Sequence, residues 1–315
     1  MSAADWLVQA IGILVALAAA PLFTGWVNQC RAWLQNRSAP SVLQPYRGIR
    51  KLFHKDAVIA ANASPLFRLA PYIVFGAMLT AAAVIPALGT RLPFTRAADT
   101  IALVGLLAAA RVFLSLAAMD VGTAFGSLGA RREMLVGFLA EPALLMVIFV
   151  ASLISASTAL PAISERIGTQ QLAIYPSLAF TGVAFAIILL AENARIPVDN
   201  PATHLELTMI HEAMLLEYSA RHLALMEWAA ALKLFNYACI GFALFIPWGI
   251  ATTHTPLALL AAAFILALKL LIAGAGLALI ETVCAKLRVF RAPEFLAVAF
   301  LFAVLGLLVH LLLRA

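Results

Sequence analysis

Charge is scarce in this chain. Only 11% of its 315 residues are Asp, Glu, Lys or Arg, less than half the roughly 25% of ordinary soluble domains. No water-soluble monomer hides the 64% of apolar residues that remain. Cysteine is rarer still. Cys30, Cys239 and Cys284 are scattered and form no C-x-x-C pair, so the chain alone offers no iron–sulfur ligand set, no thiolate zinc site and no disulfide framework. Electrons, if they matter here, are expected to belong to a partner. Motifs for other chemistries fall short as well. His211-Glu212-Ala213-Met214-Leu215 puts leucine where a metalloprotease needs its second histidine, and Ala130-Arg131 follow Gly129 where a P-loop requires Lys and then Ser or Thr. The glycines at 122, 126 and 129 read instead as places of close helix or partner packing. No metal site is expected.

Long apolar runs are what the chain does have. They lie at about 4–30, 65–90, 99–120, 137–160, 174–195, 220–248, 257–284 and 291–314, each long enough to cross a bilayer as a helix. An all-α, polytopic membrane protein with about eight transmembrane helices in one integral domain, 1–315, follows. The first run starts straight after Asp5 with no basic stretch before it, so it reads as a retained span and not as a cleaved signal. Soluble domains, low-complexity tracts and internal repeats are not evident.

The net charge of +6 has a topological explanation that needs no nucleic acid. With the first loop in the cytoplasm, 14 of the 21 Lys and Arg lie on or beside cytoplasmic connections and four (Arg91, Arg96, Arg166 and Arg314) outside. That asymmetry predicts that both termini are on the outer side. Cytoplasmic segments at about 31–64, 121–136, 192–219 and 285–290 then form the face on which partners dock.

Ionised groups in hydrocarbon cost roughly 2.5–3.5 kcal/mol each on insertion scales, so intramembrane charges are functional candidates. Glu141, Glu192, Glu227, Lys233, Lys269, Glu281 and Glu294 all fall in or at the edge of spans. Glu281 and Glu294 are within reach of Lys286, Arg288 and Arg291 and read as structural ion pairs. Lys233 and Lys269 lie about a dozen residues from a span end, too deep for snorkelling to lift their ammonium groups clear. They fit either a proton relay or a fixed Lys–Glu pair.

The densest polar segment runs from Glu192 to His222. Pro197 and Pro201 break the helix there, and a fresh helix is expected from about Ala202. On it Glu206 and Glu217, eleven residues apart, would share one face, and His204 and His211 another. Such a helix suits a hydrated proton inlet or an amphipathic surface laid on a partner.

Three stretches carry a family resemblance. Leu43-Gln44-Pro45-Tyr46-Arg47-Gly48-Ile49-Arg50-Lys51-Leu52-Phe53-His54-Lys55-Asp56 is similar to L-Q-P-x-x-D-G-x-K-L-x-x-K-E. Gly129, Ala130 and Arg132, with Glu141 twelve residues beyond the glycine, match a G-A-x-R segment followed by a membrane glutamate. Ala191-Glu192-Asn193-Ala194-Arg195-Ile196-Pro197-Val198-Asp199 resembles A-E-x-x-R-x-P-F-D, and Glu206-Leu207 and Glu217-Tyr218-Ser219 resemble the E-L and E-Y-S that follow it. On these residues, and along nearly its whole length, the chain resembles the H-type (subunit 1) membrane subunits shared by respiratory complex I and group 4 membrane-bound nickel–iron hydrogenases. It looks nearest to the hydrogenase and formate hydrogenlyase branch.

That resemblance implies a non-catalytic membrane-anchor subunit of an oxidoreductase complex in the bacterial inner membrane, which couples electron transfer to proton or sodium movement. Hydrogenase large-subunit-like and iron–sulfur subunits would dock on the cytoplasmic side. Antiporter-like membrane subunits would sit beside the chain in the lipid bilayer. Iron–sulfur clusters and the nickel–iron centre would belong to those partners, with no cofactor in this chain. The relay candidates are Glu141, Glu192, Glu206, Glu212, Glu217, Glu227, Lys233 and Lys269. The docking candidates are Arg37, Gln44, Pro45, Arg47, Arg50, Lys51, Arg132, Arg195, Pro197 and Asp199. Ala39, Gly48, Val198, Ala202 and His204 depart from the complex I pattern in loops that shape its quinone cavity, so quinone binding is not carried over. The alternatives are a purely structural anchor, a quinone-reactive subunit, or a self-contained transporter. The last would be expected to show inverted repeats.

Overall fold

The computed structural model describes residues 3–96, 98–169, 175–199, 209–253, 255–287 and 291–314. Among the described residues it is helical and has no strand beyond one isolated bridge, Gly89 to Ala251. The helices are α1 (Ala3–Leu34), α2 (Gln44–Phe53), α3 (Pro65–Val84), α4 (Thr100–Asp120), α5 (Ala124–Ser155), α6 (Leu160–Thr169), α7 (Pro176–Glu192), α8 (His211–Leu215), α9 (Ala220–Phe245), α10 (Pro256–Val283) and α11 (Ala292–Arg314). Seven of them, α1, α3, α4, α5, α9, α10 and α11, are long and apolar enough to cross a membrane, and α7 is a shorter apolar helix of 17 residues. The chain is a multi-pass membrane protein.

Helix starts follow local chemistry. Ser64, Asp99, Thr123 and Thr255 accept hydrogen bonds from the amides of Leu66, Ala102, Gly126 and Ala258, and Pro65, Pro176 and Pro256 open α3, α7 and α10, where a missing N–H costs nothing. Thr123 caps α5 so early that the expected connection 121–136 shrinks to three residues, and 124–136 is helix. The connection after α5 gains a helix that the hydropathy pattern did not predict, α6, whose Leu160 and Ile163 are buried.

Lipid tails are as apolar as leucine, so packing between these helices rests on close approach and interhelical polar contacts rather than on water expulsion. Alanines therefore crowd the interfaces: Ala20, Ala70, Ala81, Ala117, Ala140, Ala143, Ala184 and Ala299 have no exposed surface. α3 packs on α4 and α9, α5 on α4, α7 and α11, and α1 on α10.

Two ends of the bundle are pinned differently. At the basic end, Ser219 Oγ donates to the Val58 carbonyl (2.6 Å) and accepts from the Val58 amide (2.9 Å), while Tyr218 stacks on Phe67 at 4.1 Å. The Glu-Tyr-Ser stretch is thus clasped to the first loop. Asp120 accepts from the Ser64 amide there (2.8 Å). At the opposite end Gln9, 2% exposed, donates to the Ala83 carbonyl (3.0 Å) and accepts from the Phe94 amide (3.3 Å).

Candidate functional site

α7 stops inside the bundle. Its last residue, Glu192, pairs with Lys233, which lies thirteen residues into α9, about 20 Å along the axis at 1.5 Å per residue. The chain then continues as loop 193–199 within the protein interior. Ending a helix at that depth brings polar groups into the bundle interior, midway along α9.

Arg111 of α4 is the hub of what gathers there. Its Nη1 pairs with Glu141 and its Nη2 with Glu192, and Nε lies 3.5 Å from Glu133. Glu192 Oε2 is 3.1 Å from Lys233 Nζ, and its carboxylate also meets the Tyr237 hydroxyl. α5 supplies two carboxylates because Glu133, Gly137 and Glu141 recur every four residues and share one face. Gly137 is required between them: a Cβ there would lie 2.7 Å from Arg111 Cδ and overlap the guanidinium. Two cations thus face three carboxylates, an excess of one negative charge when all are ionised. One proton makes the group neutral. Glu133 and Glu192 are buried, whereas the Glu141 side chain keeps 35% exposure and opens on the flank of the bundle.

A second ionic group sits toward the basic end. Glu281 of α10, 3% exposed, lies 3.4 Å from Arg31 of α1 and 3.2 Å from Arg195. Asp199 lies 3.6 Å from Lys286 and accepts the amide of His211 at 3.0 Å, which fixes the start of α8. Between this group and α9 is a cavity of about 700 Å³ whose polar lining includes Arg31, Asn193, Arg195, Asp199, His211, Glu212 and Glu227. Burial lowers the His211 pKa and nearby Lys233 adds to that, opposed by Glu133 and Asp199. Burial likewise lowers that of Lys286, opposed by Asp199. α8 seats on α5 because Gly129 lets the Ile210 carbonyl and Ala213 approach; a Cβ at 129 would meet them at 2.8 and 3.0 Å.

The expected residues divide accordingly. Glu141, Glu192 and Lys233 meet in the Arg111 cluster, and Glu212 and Glu227 line the cavity. Lys269 does not join them: its Nζ donates to the Ile246 carbonyl (2.6 Å) beneath the Phe242 ring, at the other end of the bundle. Glu206 and His204 lie outside the described residues. The continuous helix expected to align Glu206 with Glu217 is corrected, because α8 ends at Leu215 and Glu217 falls in the turn that follows.

Of the docking residues, Arg37, Gln44, Arg47, Arg50 and Lys51 are exposed on or beside α2. Arg195, Pro197 and Asp199 are instead buried, tied to Glu281, to the Leu287 amide (2.9 Å to the Pro197 carbonyl) and to Lys286 and His211. Pro45 lines the cavity, and Arg132 donates to the Met209 carbonyl (2.8 Å). Glu281, expected to pair with Lys286, Arg288 and Arg291, meets Arg31 and Arg195 because α10 packs on α1. Two cluster members were not among the candidates, Arg111 and Glu133. Their signal was the four-residue spacing of Glu133, Gly137 and Glu141 beside a mid-span arginine. Among the described residues no three His, Cys, Asp or Glu side chains are placed to hold a metal ion.

Short α7, the arginine-bridged carboxylates and the polar cavity define a class: a multi-helix membrane subunit with a charged interior path. The family model described as NADH dehydrogenase matches residues 8–312, and the chain belongs to that family, the complex I subunit 1-like membrane proteins. It is 35% identical over 296 residues to formate hydrogenlyase subunit 4 of Escherichia coli, covering 94% of this chain and 95% of that one. It is also 35% identical over 260 residues to hydrogenase-4 component C of the same organism, covering 82% and 81%. A chain in the structure of a membrane-bound sulfane sulfur reductase, an archaeal respiratory membrane complex, shares the fold with a TM-score of 0.80 at 18% identity, covering 96% of this chain and 99% of that one.

Proposed function

We propose that this chain anchors a hydrogenase or formate hydrogenlyase-type complex in the bacterial inner membrane and carries protons coupled to that complex's redox reaction. The observation that carries the reading is Arg111, which faces three carboxylates inside the bundle, near a polar cavity. A fixed structural pair needs one acid and one base. This cluster holds one carboxylate more than its cations neutralise, and so has room for one exchangeable proton.

The rest of the surface fits such an assembly. The basic end faces the cytoplasm by the charge asymmetry, with both termini outside. There Arg37, Gln44, Arg47, Arg50 and Lys51 are presented to iron–sulfur and nickel–iron subunits, and redox change in those partners would shift the charge balance of the cavity groups and then of the cluster. On the flank, Glu141 facing lipid would carry the penalty of an intramembrane charge, so a second, antiporter-like membrane subunit covers it and receives its proton. The test is purification of the intact complex from membranes, followed by identification of partners and metals. A nickel- and iron-containing complex in which Glu141→Gln lowers ion movement per hydrogen formed supports the reading. A complex without such partners, or one in which Glu141→Gln leaves that ratio unchanged, rejects it.

A further inference from the structure

The cavity and the cluster are separated by a thin wall. On the cluster side lies a small void of about 30 Å³, bounded by Arg111, Glu133 and Lys233. It is large enough for water. The Nε atom of Arg111, a residue that lines the void, is buried without a hydrogen-bond partner in the protein, since Glu133 at 3.5 Å is too far for a good direct bond. A bridging water there would satisfy both groups. Three residues line both the cavity and the void: His211, Leu215 and Ala230. Two of the three are apolar.

We infer that His211 is the proton-carrying side chain between the cavity and the Arg111 cluster, with water in the void completing the connection to Glu133. The inference rests on the relay reading above and adds to it a specific crossing point. Geometry favours this side chain. α8 begins at His211, its amide held by Asp199, and Asp199 in turn is held by Lys286; Gly129 then seats α8 against α5, the helix that carries Glu133. The charged groups acting on the ring are Glu133 from α5, Lys233 from α9 and Asp199 from the loop.

Proton balance is simple. The neutral imidazole takes a proton on its bare ring nitrogen from a hydronium ion or carboxylic acid on the cavity side. Its other nitrogen releases a proton to water in the void, and that water passes one to the Glu133 carboxylate. The ring then turns over and regains its starting tautomer. Burial, which holds His211 largely neutral near pH 7, keeps it ready to accept.

The test uses the assembled complex in inverted membrane vesicles, reading ion movement per hydrogen formed for His211→Ala, His211→Gln and Glu192→Gln. In the intact His211→Ala complex the ratio falls by about tenfold or more, as expected when a proton-transfer group is removed. Imidazole in the buffer, which fits the space left by the side chain, restores it. In His211→Gln, which keeps the bulk but carries no proton at neutral pH, the ratio also falls and imidazole does not help. The proposal is overturned if either variant keeps the wild-type ratio, or if the His211→Ala loss is not relieved by imidazole. Should Glu192→Gln lower the ratio while His211→Gln does not, only the crossing point is wrong. Should neither lower it, the relay reading falls with it.

Discussion

Arg111 and Glu192 are 81 residues apart in sequence and come from α4 and α7, yet the guanidinium Nη2 and carboxylate Oε1 pair directly at the point where α7 ends. That contact ties the short helix to α4 and the rest of the bundle. Removing the arginine strands three carboxylates with Lys233 alone. Arg111→Leu is expected to cost about 3–5 kcal/mol of stability, the usual consequence of breaking a buried ionic group from one side. Arg111→Lys should fall between, because an ammonium cannot span three acids. Thermal unfolding of the purified complex in detergent, compared across the three proteins, checks the order.

Gly137 provides the second prediction. A single methyl at this position overlaps the Arg111 guanidinium, so Gly137→Ala should push the arginine from its bridge. The change costs about 1–3 kcal/mol as an overpacked site and lowers coupled ion movement. Gly105→Ala on α4, where a Cβ meets nothing within 4 Å, serves as the control and should leave both unchanged.

Much of this architecture was legible in the sequence. Apolar runs longer than a bilayer is thick have few alternatives, and the eight stretches correspond to seven long helices and α7. What the sequence left open was depth. Glu192 stands near the end of its apolar run, at the edge of a span, and its depth does not follow from that. The helix end is buried, and the chain beyond it runs through 193–199, where Arg195 pairs with Glu281 and the Pro197 carbonyl accepts from the Leu287 amide. Glu133 falls inside the expected connection 121–136, although the Thr123 cap starts the helix well before it. Lys233 and Lys269 looked alike as isolated mid-span lysines. Only tertiary neighbours separate them, Glu192 for one and the Ile246 carbonyl for the other.

Asp199 holds loop 193–199 to α8, so Asp199→Ala should loosen α8 before the bundle as a whole. The lost charge-assisted bond to the His211 amide is worth about 1.5–3 kcal/mol. Amide exchange in His211–Leu215 should therefore accelerate roughly tenfold or more, with little change in α4 or α5. Exchange measured by mass spectrometry on peptides covering each helix distinguishes this from general destabilisation.

Acidification should act through His211. Its folded-state pKa lies below the ordinary histidine value of about 6.5, so between the two values the unfolded chain binds more protons than the folded one. Stability is then fully present above about pH 6.5 and is lost as pH falls through that value toward the folded pKa. His211→Gln should flatten this part of the stability profile. Melting temperature of the complex measured from pH 7.5 down to about pH 5, wild type against variant, reads the difference.

The account's central claim is that the buried charges move protons and do not merely hold helices together. Glu192 tests it most directly, because it joins Arg111 to Lys233. In inverted vesicles containing the Glu192→Gln complex, hydrogen formation measured with a protonophore present should persist, while protons moved per hydrogen formed should fall severalfold or more. An intact Glu192→Gln complex that moves as many protons per hydrogen as the wild type would contradict the claim.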